Sequence, residues 1–264
     1  MPLTSGLSGA RVLVTAASQG IGFGAAKAFL DEGARVVINS SNSERLNKAL
    51  SQLKSQGEVY GVVADLSSRL DLERLVSETR RLLGGIDTLV YVTGSPKPGV
   101  FMEQGYDDWL EAARLLTVSP AYLVRKVAEV MIEQKVRGRM VLLASYAIRE
   151  PVPTIALSNV CRIAIAGIVR TLARELGPKG IRVNGVLPGY IRTARIEQVT
   201  AAMASRSGTT ASEALAKIEG EIPLGYIGST EELARSIVFL GSEMSAYVTG
   251  AMLPVDGGIL RSVG

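Results

Sequence analysis

The sequence predicts a doubly wound α/β fold: a parallel sheet with helices on both faces, in a single domain. Three observations carry the prediction. Short apolar runs bounded by turn residues alternate with helix-length segments, the pattern of repeated βα units. A glycine turn, Ala16 to Gly22, joins the first apolar run to the first helical segment. Between Gly138 and Pro188 the chain reads strand, helix, parallel strand, with the polar Ser145 at a strand's carboxyl end. In open parallel sheets that edge is where ligands bind.

Ala10 to Thr15 is the first strand, and a helix runs from the turn through Leu30. Such a turn brings backbone close to a pyrophosphate, which then meets N–H groups at the helix N-terminus. Thr15, Ala16, Ser18, Gln19, Gly20, Ile21 and Gly22 are the candidate contacts. The same turn also serves as a tight connection with no ligand. If position 16 needs a positive φ, its alanine is strained.

Gly33 to Ile38 is the second strand, followed by Asn39, Ser40, Ser41 and Asn42. A carboxylate here would accept the ribose hydroxyls of NAD. With none to repel a 2′-phosphate, NADP is favoured over NAD, although none of the four is an arginine that would pair with one. They also fit a plain polar loop.

Val59 to Ala64 is the third strand, and Asp65 beyond it is placed to cap the next helix. Ile86 to Val92 is the fourth, and Tyr106 to Gln134 is helical. Ile155 to Leu176 has helix length and is apolar nearly all round until Arg170, Arg174 and Glu175. Such a helix is buried on every side, often against a partner chain. Gly177 and Pro178 end it. Ile181 to Leu187 is the next strand. Ala194 to Tyr226 is long, polar and rich in small residues, either a lid or an ordinary surface segment. Glu231 to Leu240 is a helix with Ser229-Thr230 as its N-cap.

The chain has 264 residues, 47% of them hydrophobic, enough for one large core. Its net charge of +4 comes from scattered basic residues, not the clustered face of a nucleic-acid binder. It has no histidine, which excludes a histidine base, a Ser-His-Asp triad and the commonest zinc ligand, and no metal site is predicted. A single cysteine, Cys161, forms no internal disulfide. No apolar run approaches the roughly 20 residues of a membrane span, and the N-terminus lacks a signal-peptide pattern. A cytoplasmic protein is expected, without membrane or nucleic-acid partners.

These motifs resemble the short-chain dehydrogenase/reductase family along essentially the whole chain, and its 3-oxoacyl-(acyl carrier protein) reductase branch most closely. The resemblance rests on Thr15, Gly20 and Gly22, on Gly94 and Ser145, on Gly167, Leu172, Ala173, Glu175 and Leu176, on Gly180-Ile-Arg-Val-Asn184, and on Pro188-Gly189 with Ile191 and Thr193. Tyr247 to Gly250 and Leu253 to Gly258 match its closing segment. It implies a Rossmann-like sheet, an NADP or NAD cofactor, and a homodimer or homotetramer built through the long helix and closing strand. It places Asp65 and Leu66 by the adenine, Thr93 and Gly94 along the cofactor, and Pro188, Gly189, Ile191 and Thr193 at the nicotinamide. Gln19 stands where many NADP-dependent relatives carry arginine.

The resemblance also implies a serine, a tyrosine thirteen residues on and a lysine four further, with an assisting asparagine. Here Ser145 is kept, Ser158 and Arg162 hold the next two positions, and Leu116 or Thr117 holds the last. In relatives the tyrosine is the acid. A phenol's pKa is about 10, and a nearby lysine lowers it. A serine hydroxyl is far less acidic, and Arg162 stays charged, able to bond a ribose but not to pass a proton. Losing one proton-transfer group costs about 10²–10⁴ in rate. Tyr146, Tyr190 and Tyr91 are candidate replacements. Two functions stay open: NAD(P)-linked oxidoreduction of a small carbonyl, alcohol or acyl substrate, or cofactor binding without catalysis, as a sensor or structural partner.

Overall fold

A computed structural model describes residues 4–262. The strands are β1 (Arg11–Val14), β2 (Arg35–Ser40), β3 (Val59–Val63), β4 (Thr88–Tyr91), β5 (Arg139–Leu143), β6 (Arg182–Pro188) and β7 (Met252–Val255). They form a 7-stranded sheet in the order β3-β2-β1-β4-β5-β6-β7. Every pairing is parallel. The order reverses between β1 and β4, so a crevice opens at their carboxyl ends.

Alternation along the strands builds a core on each face. Leu13, Leu89, Leu142 and Val183 face one side, where they meet α3 (Arg69–Leu83), α5 (Ser119–Glu133) and α7 (Ala164–Leu176). Val12, Val14, Val90, Val141 and Val186 face the other. There they meet α1 (Gly20–Asp31), α2 (Ser43–Leu53) and α10 (Thr230–Leu240). The amino-terminal edge is closed by polar contacts: Arg11 pairs with Asp87 at 2.6 Å, and Arg182 donates to the carbonyls of Ser242 and Ser245.

Both long helical segments carry an interruption; the first is helical throughout as expected, and the second expectation is corrected. Tyr106–Gln134 divides into α4 (Tyr106–Ala113) and α5, joined by a π-turn over Arg114–Val118. Such bulges recur at functional sites. The 155–176 segment breaks into α6 (Ala156–Cys161) and α7, with Arg162 at the break. Nor is it buried on every side: α7 buries Ile165, Val169 and Leu176, while Val160 and Ile163 are about half exposed. Residues Ala156–Lys179 have the length and mean hydropathy, 1.4, to cross a membrane, contrary to expectation. Their inner face nonetheless packs into the core beside the sheet.

The polar segment after Thr193 is helical: α8 (Ala194–Ser207) and α9 (Ala211–Glu221). A capping box between Thr210 and Glu213 starts α9. Ile196 of α8 and Ile218 of α9 form a small separate cluster with Ile222 and Ile227, and Tyr190 and Ile259 pack against it. Ser229 caps α10, its hydroxyl accepting from the Glu232 N–H.

Candidate functional site

The turn after β1 is held by several independent ties. Thr15, fully buried, donates its hydroxyl to the Val92 carbonyl at 2.5 Å and accepts from the Val92 N–H at 2.8 Å. The Asn39 Oδ1 accepts from the Ala16 N–H at 2.8 Å, its amide nitrogen donates to the Ala64 carbonyl, and its own carbonyl accepts from Ala17 N–H. Ala16 takes φ +46°, a region that favours glycine. Strain of this kind persists where surroundings over-determine the backbone, as these bonds do. A Cβ on Gly22 would lie 2.5 Å from the Ala16 carbonyl oxygen, so α1 starts closer to β1 than any side chain permits.

Above the turn lies a cavity of about 520 Å³. Its floor is Ala16, Ser18, Gln19, Gly20, Ile21 and Gly22, with Val92, Thr93, Gly94, Ser95 and Leu115 along one wall. Thr193 and Ala194, the start of α8, close it from above; a Cβ on Gly20 would come 3.5 Å from Thr193 Cγ2. Two helix N-termini therefore meet the same space, a setting suited to anions.

The far end is lined by Asn39, Ser40, Ser41, Arg45, Ala64, Asp65 and Leu66. Ser18 donates to Ser40 Oγ at 3.0 Å, and Asn42 caps α2 by accepting from the Arg45 N–H. Arg45 went unrecognised in the sequence. Its signal is its position three residues past the N-cap, in the first turn of α2. Asn39 lines the cavity, but its amide is committed to the turn. Asp65 also lines it, with Oδ1 engaged by the backbone and hydroxyl of Ser67. Ser68, not Asp65, caps α3.

Of the other expected cofactor contacts, Thr15 and Arg162 sit behind the cavity wall, bonded to Val92 and Gly94 of its lining, and Pro188, Gly189 and Ile191 do not line it. Arg162 is buried in the α6–α7 break, where Nε donates to Ser158 Oγ at 3.2 Å and Nη2 to the Gly94 carbonyl at 3.1 Å. Ser145 ends β5's extension; its Oγ accepts from the Ala147 N–H at 3.2 Å and, among the described residues, meets no tyrosine hydroxyl.

The three tyrosines separate. Tyr91 is fully buried and donates to the Leu115 carbonyl at 3.3 Å, bracing the π-turn instead of facing a cleft. Burial pushes its phenol up to about 12, against a smaller downward pull from Thr93 and Arg162. Tyr146 and Tyr190 meet ring to ring, centroids 5.8 Å apart. Burial holds the Tyr146 phenol well above its ordinary range, reinforced by Tyr190 and by the carboxylates of Glu221 and Glu150. It therefore remains a hydrogen-bond donor at neutral pH.

The sheet order, the glycine turn and the switch-point cavity define a Rossmann-type nucleotide-binding protein. The family model described as enoyl-(acyl carrier protein) reductase matches residues 15–260. Dehydrogenase/reductase SDR family member 4 of Caenorhabditis elegans is 34% identical over 250 residues, covering 94% of this chain and 94% of that one. The 3-oxoacyl-(acyl-carrier-protein) reductase of Aquifex aeolicus is 30% identical, covering 96% of this chain and 98% of its own. L-sorbose reductase from Gluconobacter frateurii, solved with NADPH and L-sorbose, superposes with a TM-score of 0.93 at 29% identity, over 99% of this chain and 100% of that one. The chain belongs to the short-chain dehydrogenase/reductase family, a family of oxidoreductases.

Proposed function

We propose that the protein binds NADP(H) in the switch-point cavity and acts as an oxidoreductase on a small carbonyl or alcohol, with 3-oxoacyl compounds the nearest analogy. The cavity carries this reading. Its donors fit the cofactor: two helix N-termini for the pyrophosphate, and Ser40, Ser41 and the Arg45 guanidinium for a 2′-phosphate. Arginine binds phosphate through strong charge-assisted bonds, which favours NADP over NAD. The cofactor, when bound, supplies the hydride. Ser145 would orient the carbonyl and the Tyr146–Tyr190 pair would donate hydrogen bonds near it. Ser158 and Arg162, at the positions of the family's tyrosine and lysine, mark the chain as a divergent member. The exposed apolar side chains of Val160, in α6, and Ile163, at the α6–α7 break, support a homodimer or homotetramer, which light scattering would test, and the lone cysteine suits the cytoplasm.

A second reading has its own support. Arg162, Ser158 and Gly94 are engaged with one another, and among the described residues Ser145 meets no phenol, so the chain fits a cofactor-binding homologue without turnover, a sensor or structural partner. Titration with NADPH and NADH, followed by nicotinamide fluorescence and melting temperature, tests the shared premise; no binding at millimolar cofactor sinks both. NADPH binding with oxidation by a panel of small ketones supports the enzyme. Binding without turnover supports the sensor.

A further inference from the structure

We infer that Glu150 is a positioning residue: its carboxylate clamps the C-terminal tail across the turn that carries Ser145 and Tyr146, and so holds the Tyr146–Tyr190 pair. The inference rests on the reading above that this turn faces the substrate.

The Glu150 Oε1 accepts two consecutive backbone N–H groups, from Arg261 at 2.6 Å and Ser262 at 2.9 Å. Bonds to an ionised acceptor are about twice as strong as neutral ones. Glu150 is itself tied to the turn: its N–H and that of Arg149 both reach the Tyr146 carbonyl, and the Ile148 N–H reaches the Ser145 carbonyl. The tail's near end is fixed as firmly. Asp256 accepts from the N–H groups of Gly258 and Leu260, bending the chain back. The Gly257 carbonyl accepts from the Leu224 N–H, just past α9. Ile259 packs into the cluster that contains Tyr190. One short segment thus touches the Ser145 turn, the Tyr190 segment and the α9 region. With the clamp, the two walls carrying Tyr146 and Tyr190 are joined.

The test uses Glu150→Ala, Glu150→Gln, a chain ending at Leu260, and that chain carrying Glu150→Ala. Amide exchange is read at Ala147 and Ile148, the two N–H groups bonded to Ser145. Glu150→Ala should speed exchange there about fivefold or more, leave the NADPH Kd within about twofold, and lower kcat for ethyl acetoacetate reduction about tenfold with little change in KM. Glu150→Gln keeps an acceptor oxygen and should restore most of both. The shortened chain should match Glu150→Ala, and the combination should be no worse than either alone. Unchanged exchange at Ala147 and Ile148 in Glu150→Ala, or additive effects in the combined variant, overturns the inference. If the intact protein binds NADPH but reduces no carbonyl, the catalytic reading fails while the exchange measurements still decide the clamp.

Discussion

Two regions flank β4, and they are finished differently. On the β1 side, Ser40, Ser41, Arg45 and two helix N-termini border an open cavity. On the β5 side, Arg162 is bonded to Ser158 and Gly94, and Tyr146 packs its ring at a tilt against that of Tyr190. The first arrangement leaves donors for a ligand; the second uses them within the protein. Binding and chemistry are therefore separable here, and substitutions on the two sides should have different signatures.

The largest expected effect falls on the binding side. Gly22→Val puts a side chain where the Ala16 carbonyl already stands, 2.5 Å from the Cβ position. The turn must shift, and NADPH affinity should fall more than about 100-fold by calorimetry, roughly 3 kcal/mol. Ser145→Ala, across β4, should leave that Kd within about twofold. Equal losses in both would erase the distinction between the regions.

Arg45→Ala sharpens it. Removing a charge-assisted phosphate contact should weaken NADPH about ten- to thirtyfold, on the order of 1.5–2 kcal/mol, and leave NADH nearly unchanged. Equal weakening of both cofactors would mean that Arg45 acts on the turn and not on the 2′-phosphate.

Tyr91 marks the buried boundary between the regions. Its folded pKa of about 12 exceeds the ordinary 10 because burial disfavours the phenolate. The unfolded chain therefore loses this proton first. The stabilisation is complete below pH 10 and is lost as pH rises from about 10 to 12, on the order of 3 kcal/mol. Denaturant melts across that range should show the slope, and Tyr91→Phe should flatten it.

The sheet was legible because its signals are local and repeated: apolar runs, turn residues and alternation. The glycine turn was legible for the same reason, since a strand, close glycines and a helix start stand together in sequence. The catalytic side was less so. Tyr91 sits beside the matched Gly94 in sequence, yet strand alternation sends it into the core. Arg162 has the charge of a ribose ligand, but the α6–α7 break turns its guanidinium onto Ser158 and Gly94. The Glu150 clamp joins residues 111 apart, and no short-range pattern announces such a contact. Arg45 is the intermediate case, readable once Asn42 is recognised as the cap of α2.

The smallest effect concerns Ala16, where the binding side stores strain. At φ +46° an L side chain costs about 1–2 kcal/mol, while glycine there costs the unfolded chain about 0.5–1 kcal/mol more entropy. The first term is larger, so Ala16→Gly should stabilise the protein by about 0.5–1 kcal/mol in chemical melts. Its effect on NADPH separates two accounts of the turn. If the Asn39 bonds alone set the geometry, the Kd will not move, because glycine keeps the same N–H in the same place. If the alanine methyl helps shape the cavity floor, binding will weaken while stability rises. We expect the first, since both the Ala16 and Ala17 N–H groups are already held by Asn39. A glycine variant that gains stability and keeps its affinity would show that the turn is built from behind, by the end of β2.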